Sequence, residues 1–221
     1  MTTLRTNVLS LLFIAIIIAV AAYLYPSLPE QIPTHWNFQG EVDDYTPKPW
    51  GVIVLPLAAI LIFIIMKLIP IVSPKGFRTD QFRDVVNIFT VTLVGFMSGI
   101  GLLVLLAASG RNVQMNEMVF AGMGLLFIVL GNYMSKVRKN FFIGIRTPWT
   151  LASDEVWNRT HRLGGWIFVL IGFFMFLNAF IQFPMEWLIG SIVVMALVPV
   201  VYSYVLYRKI EGFEDDAPEN D

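Results

Sequence analysis

Six long apolar stretches alternate with short polar segments along this chain of 221 residues. A helix needs about 20 apolar residues to cross a hydrocarbon layer of about 30 Å, and each stretch is close to that length. The alternating apolar and polar residues that mark a membrane barrel are absent. We therefore predict an all-α integral membrane bundle of six transmembrane helices. The stretches cover residues 8–25, 51–72, 85–109, 117–135, 164–183 and 187–207.

The first stretch has two features of a signal peptide, since it follows Arg5 and contains the small-residue run AVA at 19–21. Its apolar run is longer than the about 7–15 residues of a typical signal peptide. Tyr23 and Tyr25 also suit the aromatic belt where a helix leaves the membrane. We interpret this stretch as a retained membrane anchor.

The positive charges lie almost entirely on one side of the predicted bundle. Of the 15 lysines and arginines, all but Lys48 and Arg111 fall in the segments that share a side with the two termini. Loops rich in lysine and arginine resist transfer across the membrane and stay in the cytoplasm. The distribution therefore predicts that both termini are cytoplasmic and that the loop at 26–50 faces outward.

Composition agrees with a membrane environment and excludes some chemistry. Hydrophobic residues make up 57% of the chain and charged residues 14%, against about 45–50% and 25% in soluble domains. There is no cysteine, which excludes disulfides, thiol nucleophiles and thiolate metal sites.

We divide the chain into three parts. The N-terminal three-helix membrane region spans 1–110 and contains the outer loop at 26–50, and the C-terminal three-helix region spans 111–207. An acidic tail at 208–221 lacks apolar periodicity, so we predict that it is disordered.

The outer loop is rich in proline, aromatic residues and carboxylates. Its five prolines forbid a helix and favour extended backbone, and Gly40 suggests a turn, so a rigid hairpin-like cap is predicted. Four carboxylates against the one cation Lys48 would attract a cationic or amphipathic peptide. The carboxylates are those of Glu30, Glu41, Asp43 and Asp44.

His35 lies among these carboxylates, as a ligand of a divalent metal would. The acidic residues show no metal-motif spacing, however, and a histidine hydrogen-bonded in the core of the loop is the favoured interpretation. His161 lies on the opposite side of the membrane and cannot share a site with His35. No metal and no cofactor is therefore predicted. The candidate binding residues of the loop are His35, Trp36, Asn37, Gly40, Asp43 and Asp44.

A second polar region, GIRTPWTLASDEVWNRTHRLGG at 144–165, precedes the fifth stretch and is called the polar island here. Thr147 before Pro148 is a helix start signal, because proline needs no amide partner at the first helical position. Ser153 before two carboxylates is a second start signal. The island is thus predicted to be a bent interfacial segment that leads into the fifth transmembrane helix.

Trp157, His161 and Gly164 recur at the spacing of one helix face. We place Trp149 and Trp157 at the lipid boundary. Arg146 either anchors the interface or makes a bidentate or stacked contact that orders the island, and we favour the second interpretation. The candidate binding residues of this region are Arg146, Thr147, Pro148, Trp149, Thr150, Trp157 and His161.

The strings GIRTPWTL at 144–151, EVW at 155–157 and TH at 160–161 resemble the signature of the SdpI family of bacterial immunity and signalling membrane proteins. The string LPEQIPTHW at 28–36 is similar to the uncharacterised N-terminal membrane domain that such proteins often carry. Asn132, after Gly131, resembles a family position that precedes the first string, and we add it to the candidate binding residues.

The resemblance implies a multi-pass protein of the bacterial cytoplasmic (inner) membrane that protects its producer from a secreted peptide toxin. The implied partners are that toxin, membrane lipids and, for close relatives, a cytoplasmic transcriptional repressor, with no direct nucleic-acid binding. The acidic tail is no part of the recognised motif.

The sequence also bears on two other classes of function, an enzyme and a transporter. An intramembrane protease would need a His-Glu-x-x-His or paired-aspartate pattern, and neither is present, while Ser98 lacks the usual serine spacing. We therefore expect no enzyme activity. A membrane transporter that binds a small molecule or a lipid stays open as the alternative, since Asn132 and Asn178 place polar groups within spans.

Overall fold

The computed structural model describes residues 1–37, 39–75, 77 and 79–212. Within these residues it is mostly helical, and six helices are long and apolar enough to cross a membrane. The prediction of a six-span helical bundle is thereby confirmed. The long helices are α1 Thr3–Leu24, α2 Lys48–Val72, α3 Arg83–Ala108, α4 Met115–Met134, α6 Asp154–Ile181 and α7 Met185–Ile210, and α5 Pro148–Ala152 is short.

The outer loop folds as an antiparallel hairpin of β1 Gln31–Trp36 and β2 Val42–Pro47. At its tip, the side-chain oxygen of Asn37 accepts backbone N–H bonds from Gln39 and Glu41, each at 3.0 Å. Gly40 has φ +82°, a left-handed conformation that glycine adopts without steric cost. The predicted hairpin-like cap is confirmed.

Lys48 is buried beneath this hairpin although it is a charged residue. Its Nζ donates to the carbonyl of Leu28 at 2.8 Å and lies 4.9 Å from the centre of the Tyr25 ring. The Glu30 carboxylate is 3.9 Å away. The backbone carbonyl, the ring and the carboxylate compensate for the lost hydration of the ammonium group.

An apolar cluster beneath the hairpin joins α1, α2 and α3, and another apolar cluster lies nearer the other end of the bundle. Beneath the hairpin, Ile17 of α1, Ile32 of β1 and Leu105 of α3 are fully or almost fully buried in one cluster. Near the other end of the bundle, Phe82 and Trp157 belong to a second cluster, which joins the start of α3 to the start of α6. Packing therefore continues from the N-terminal helices to the C-terminal ones.

Helices α4 and α6 approach so closely that glycine backbones touch. A side-chain carbon at Gly131 would lie 2.6 Å from the carbonyl oxygen of Gly165. Gly124 and Gly172 meet in the same way one heptad along, because a Cβ at Gly172 would lie 2.7 Å from the Gly124 oxygen. Small residues at such an interface allow the dispersion contacts that hold membrane helices together.

The bundle has two chemically different ends. The hairpin end carries the hairpin, the start of α4 and the start of α7. The island end carries the polar island and both termini of the described chain, since the Met1 amine donates to the Asp84 carboxylate at 3.2 Å. Helix α7 extends to Ile210, so the tail boundary drawn after 207 is too early. Residues 213–221 of the predicted tail lie outside the described residues.

Candidate functional site

The chain enters the polar island through a tight loop organised by Asn140, which is fully buried. Its side-chain nitrogen donates to the carbonyls of Arg138 and Ile143 at 2.8 and 2.9 Å. Its side-chain oxygen accepts from the backbone N–H groups of Phe142 and Ile143 at 2.8 and 2.7 Å. One amide thus satisfies four backbone groups that have no helix or strand to pair with.

His161 is the centre of the island and is fully buried. Its Nε2 accepts the backbone N–H of Ile145 at 3.0 Å, and its Nδ1 lies 2.9 Å from the carbonyl of Trp157. Because Nε2 must be unprotonated to accept and Nδ1 must carry the proton to donate, this geometry selects one neutral tautomer. His161 therefore acts as a structural connector between the loop and α6.

Trp157 lies directly beneath His161, with the two rings stacked at 4.0 Å between centroids. Its Nε1 donates to the carbonyl of Val137 at 2.8 Å, and only 1% of the residue is exposed. The prediction that Trp157 lies at the lipid boundary is therefore wrong. It shares the inward face of α6 with His161 and fills the core there.

Helix α5 begins as the sequence predicted. The Thr147 side chain accepts the backbone N–H of Thr150, and the Thr150 hydroxyl accepts the backbone N–H of Thr147 in return. The Thr147 hydroxyl also lies 3.0 Å from that of Ser203 on α7, and Trp149 packs edge-on against Tyr204 with centroids 5.0 Å apart. The island is thus tied to α7 as well as to α6.

The start of α6 also follows the sequence prediction, because the Ser153 side chain accepts the backbone N–H of Val156 at 3.4 Å. Asp154 in the first turn pairs with Lys139 at 2.6 Å. The carboxylate is close to the positive end of the helix dipole and to a lysine of the preceding loop. The kink predicted inside the island is this junction between α5 and α6.

Arg146 does not make the bidentate or stacked contact that we favoured. Its guanidinium donates to the carbonyl of Phe141, and the side chain is exposed. Among the described residues, no carboxylate fork or stacked ring holds it. The buried hydroxyls of Thr147 and Thr150, together with His161, order the segment instead.

Asn132 does not join this buried cluster. It is exposed on α4 and lines a lateral groove of about 280 Å³ together with Arg162 and Trp166 of α6. The floor of the groove is the close contact between Gly131 and Gly165. Asn132 therefore lies on the exposed outer surface of these helices.

At the hairpin end, the His35 ring bonds the Asp43 carboxylate through Nδ1 at 2.5 Å. Two thirds of the histidine side chain is exposed, at 67%. The expected hydrogen bond is present, but the interpretation that His35 lies in the core of the loop is wrong. Among the residues that the structure describes, no group of histidines and carboxylates could hold a metal ion.

The charges of the hairpin end are unbalanced at its surface. Glu41, Asp43 and Asp44 are exposed, whereas the only cation of the hairpin loop, Lys48, is buried and bonded to a carbonyl. Trp36, by contrast, packs partly against the core beneath the hairpin. Arg111, between α3 and α4, is an exposed cation at this end, and the exposed carboxylates outnumber it, so the surface offered to solvent is acidic.

Beside the hairpin, the same end contains a cavity of about 530 Å³ whose lining includes six amide side chains. A second cavity of about 350 Å³ lies next to it and is mainly apolar. They share the residues Met115, Asn116 and Phe120, and Asn116 donates to the backbone carbonyl of Asn37 at 3.2 Å. The hairpin tip is thus fastened to α4 by a residue that lines both cavities.

The contacts of four residues that shape these sites were not predicted from the sequence, namely those of Asn140, Ser203, Asn116 and Gln182. Only Asn140 carried a local signal, since asparagine commonly organises a turn by bonding the backbone two residues on. Ser203, Asn116 and Gln182 matter through partners at least 56 positions away. Spacing along the chain gives no sign of such partners.

The region that contains the island is similar to known proteins. Residues 136–203 match the SdpI/YfhL protein family. The predicted resemblance to the SdpI family is confirmed. The SdpI-type region begins before the Asn140 loop and ends at Ser203, whose hydroxyl bonds Thr147. The family match therefore contains the whole island together with the α7 residue that fastens it.

Residues 12–60 match a domain of unknown function, DUF1648, which covers the hairpin. The chain is 26% identical to Immunity protein SdpI of Bacillus subtilis (strain 168) over 212 aligned residues. The alignment covers 94% of this chain and 99% of that protein. No solved structure matches the chain. With its six apolar helices, this chain is a multi-pass membrane protein.

Proposed function

We propose that this chain is an immunity protein of the bacterial cytoplasmic membrane, which protects the cell from a secreted peptide toxin. The similarity to an immunity protein extends over nearly the full length of both chains. In this proposal the hairpin end faces outward and the island end faces the cytoplasm. The positive charges of the island end favour that orientation.

The observation that carries the proposal is the unbalanced acidic surface of the hairpin end. Exposed carboxylates raise the local concentration of a cationic peptide and speed its encounter with the protein. Lys48 cannot cancel this field at the surface because it is buried and held by the Leu28 carbonyl. We propose that the toxin is cationic and meets the hairpin first.

The island has a supporting role in this proposal. Its hydrogen bonds connect the segment after α4 with α6 and α7 through Val137, His161 and Ser203, and all three are buried. Such a network fixes the relative positions of helices whose other ends form the cavity beside the hairpin. Capture of a repressor at the island end is an extension that the resemblance implies for close relatives alone.

The second candidate function is transport of a small molecule or a lipid across the membrane. Two polar cavities lie at the ends of the bundle, one beside the hairpin and one beside the island. A transporter needs a binding site near the middle of the membrane that can open to both sides. The end-located cavities favour recognition of a ligand from one side over its transfer.

The test changes Glu41→Gln and Asp44→Asn together in cells that depend on this protein for protection. Both amides keep an oxygen that can accept the bonds now made within the hairpin. We expect weaker protection against cationic peptide toxins at low salt and a smaller difference at high salt, because the Debye length falls to about 8 Å at physiological ionic strength. The measurement is the inhibitory concentration at matched membrane abundance.

Glu211→Gln is the control, since it removes one exposed carboxylate at the island end. It should protect like the unchanged protein at every salt concentration. Undiminished protection by the double variant would remove the hairpin charge from the mechanism. An equal loss at all salt concentrations would show a folding defect instead of lost attraction.

A further inference from the structure

The larger cavity at the hairpin end is built from three separate segments of the chain. The hairpin tip supplies Gln39 and Gly40, the start of α4 and the residues before it supply a second wall, and the turn between α6 and α7 supplies the third. Six amide side chains line it, those of Gln39, Asn112, Gln114, Asn116, Asn178 and Gln182, and Glu117 is its one charged residue.

Gln182 is held in a strained conformation at the edge of this cavity. It has φ +53°, the only positive φ of a non-glycine residue in the described chain. Such a conformation is unfavourable for a residue with a side chain and persists where the surroundings impose it. Its Nε2 donates to the Glu117 carboxylate at 3.2 Å, so the strained residue places an amide beside the cavity's charge.

The end of α6 is fixed around this residue. The side-chain oxygen of Asn178 accepts the backbone N–H of Phe183 at 2.8 Å, and the backbone N–H of Gln182 bonds the Asn178 carbonyl at 3.1 Å. Glycine would satisfy the same backbone geometry without strain. Glutamine therefore gives no advantage to the backbone at the end of this helix. Its side chain differs from glycine in placing an amide beside Glu117.

The smaller cavity supplies apolar surface directly beside the amides. Trp36 of the hairpin and Leu55, Val104 and Val119 of three helices line it. Phe120 and Asn116 belong to both cavities. A ligand that fills the pair must therefore combine an apolar group with a polar part that both donates and accepts hydrogen bonds.

We infer that the two cavities together form a peptide-binding site for an extended segment that carries a lysine or arginine next to an apolar residue. Amide side chains match a peptide backbone because both offer donors and acceptors. Glu117 pairs with the cationic side chain, and the smaller cavity takes the apolar one. The inference deepens the proposed function, since it names the class of toxin segment that the hairpin end recognises.

The test uses the full chain in nanodiscs of zwitterionic phosphatidylcholine and two fluorescent probe peptides. One probe is Gly-Lys-Leu-Lys-Gly, and the other has glutamate in both lysine positions. We expect the lysine probe to bind and the glutamate probe to bind much more weakly. Glu117→Gln should weaken binding of the lysine probe roughly tenfold, as expected for the loss of one charged hydrogen bond.

Gln182→Gly separates binding from folding. Glycine removes the strain at φ +53°, so the thermal stability of the variant should equal or exceed that of the unchanged protein. Binding of the lysine probe should nevertheless fall, because the side chain beside Glu117 is lost. Glu186→Gln is the matched control: it removes an exposed carboxylate of the same end that does not line the cavity.

Equal binding of the two probes, or unchanged binding of the lysine probe by both the Glu117 and Gln182 variants, would overturn the inference. A fall in binding with Glu186→Gln as large as that with Glu117→Gln would also overturn it, since general charge would then explain the effect. The proposed function fails separately, if the unchanged protein gives no protection in cells while the probe still binds.

Discussion

At the scale of single residues, the island depends on one glycine and one histidine that fit each other. Gly144 has φ +112°, and a side-chain carbon there would overlap with Nε2 of His161. That nitrogen is the acceptor of the Ile145 N–H. The absence of a side chain at Gly144 is therefore what lets the loop backbone reach the buried imidazole.

We predict that Gly144→Ala destabilises the protein by more than about 1 kcal/mol, because alanine meets both a disfavoured φ and a steric overlap. The measurement is the thermal unfolding of the purified protein in detergent. Gly190→Ala is the control, since glycine is unfavourable within a helix and nothing lies within 4 Å of the added carbon. A Gly144 variant as stable as the Gly190 variant would show that the loop adapts freely.

The residue scale also shows what the sequence could and could not predict. Thr147 and Ser153 were recognised as helix starts because a cap bonds a residue three positions on, within the same short string. The place of Trp157 was predicted wrongly, because burial depends on Val137 and on a cluster from other helices. A tryptophan near a membrane interface has the same local pattern whether it faces lipid or the core.

At the scale of elements, the six helices were predictable because hydrophobic length is set by the thickness of the membrane. Which helix packs against which could not be predicted from the sequence. The tight association of α4 with α6 depends on Gly124 and Gly131 meeting Gly172 and Gly165. Glycines are common in such segments, and a seven-residue spacing does not indicate which helix is the partner.

We predict that Gly131→Ala and Gly165→Ala each separate α4 from α6 and cost about 1–3 kcal/mol, the range for overpacking a close contact. In both variants the added carbon would lie within 2.7 Å of a backbone oxygen, which cannot rotate away. The measurement is thermal unfolding in detergent, with Gly99→Ala as control because its surroundings are open. Equal stability of all three variants would contradict the close packing.

At the scale of the whole molecule, the two ends divide the chemistry between them. The hairpin end carries exposed carboxylates and the two cavities, whereas the island end carries most of the cations and a closed network of hydrogen bonds. The buried side chains of His161, Thr147 and Thr150 are already bonded within the protein, and a polar cavity lies beside them at the same end. In the proposed function, recognition therefore belongs to the hairpin end and structural support to the island, although the sequence motif drew attention to the island first.

This division has a functional meaning only if the hairpin end faces outward, and the cysteine-free chain allows a direct test. We predict that Asp44→Cys reacts with a membrane-impermeant thiol reagent in intact cells, whereas Asn158→Cys reacts only after the membrane is opened. Both positions are exposed and lie at opposite ends of the bundle, so burial does not explain a difference. The physical basis is the excess of lysine and arginine at the island end, which resists transfer across the membrane. Labelling of Asn158→Cys in intact cells, with Asp44→Cys protected, would invert the topology and place the acidic hairpin where no secreted peptide could meet it.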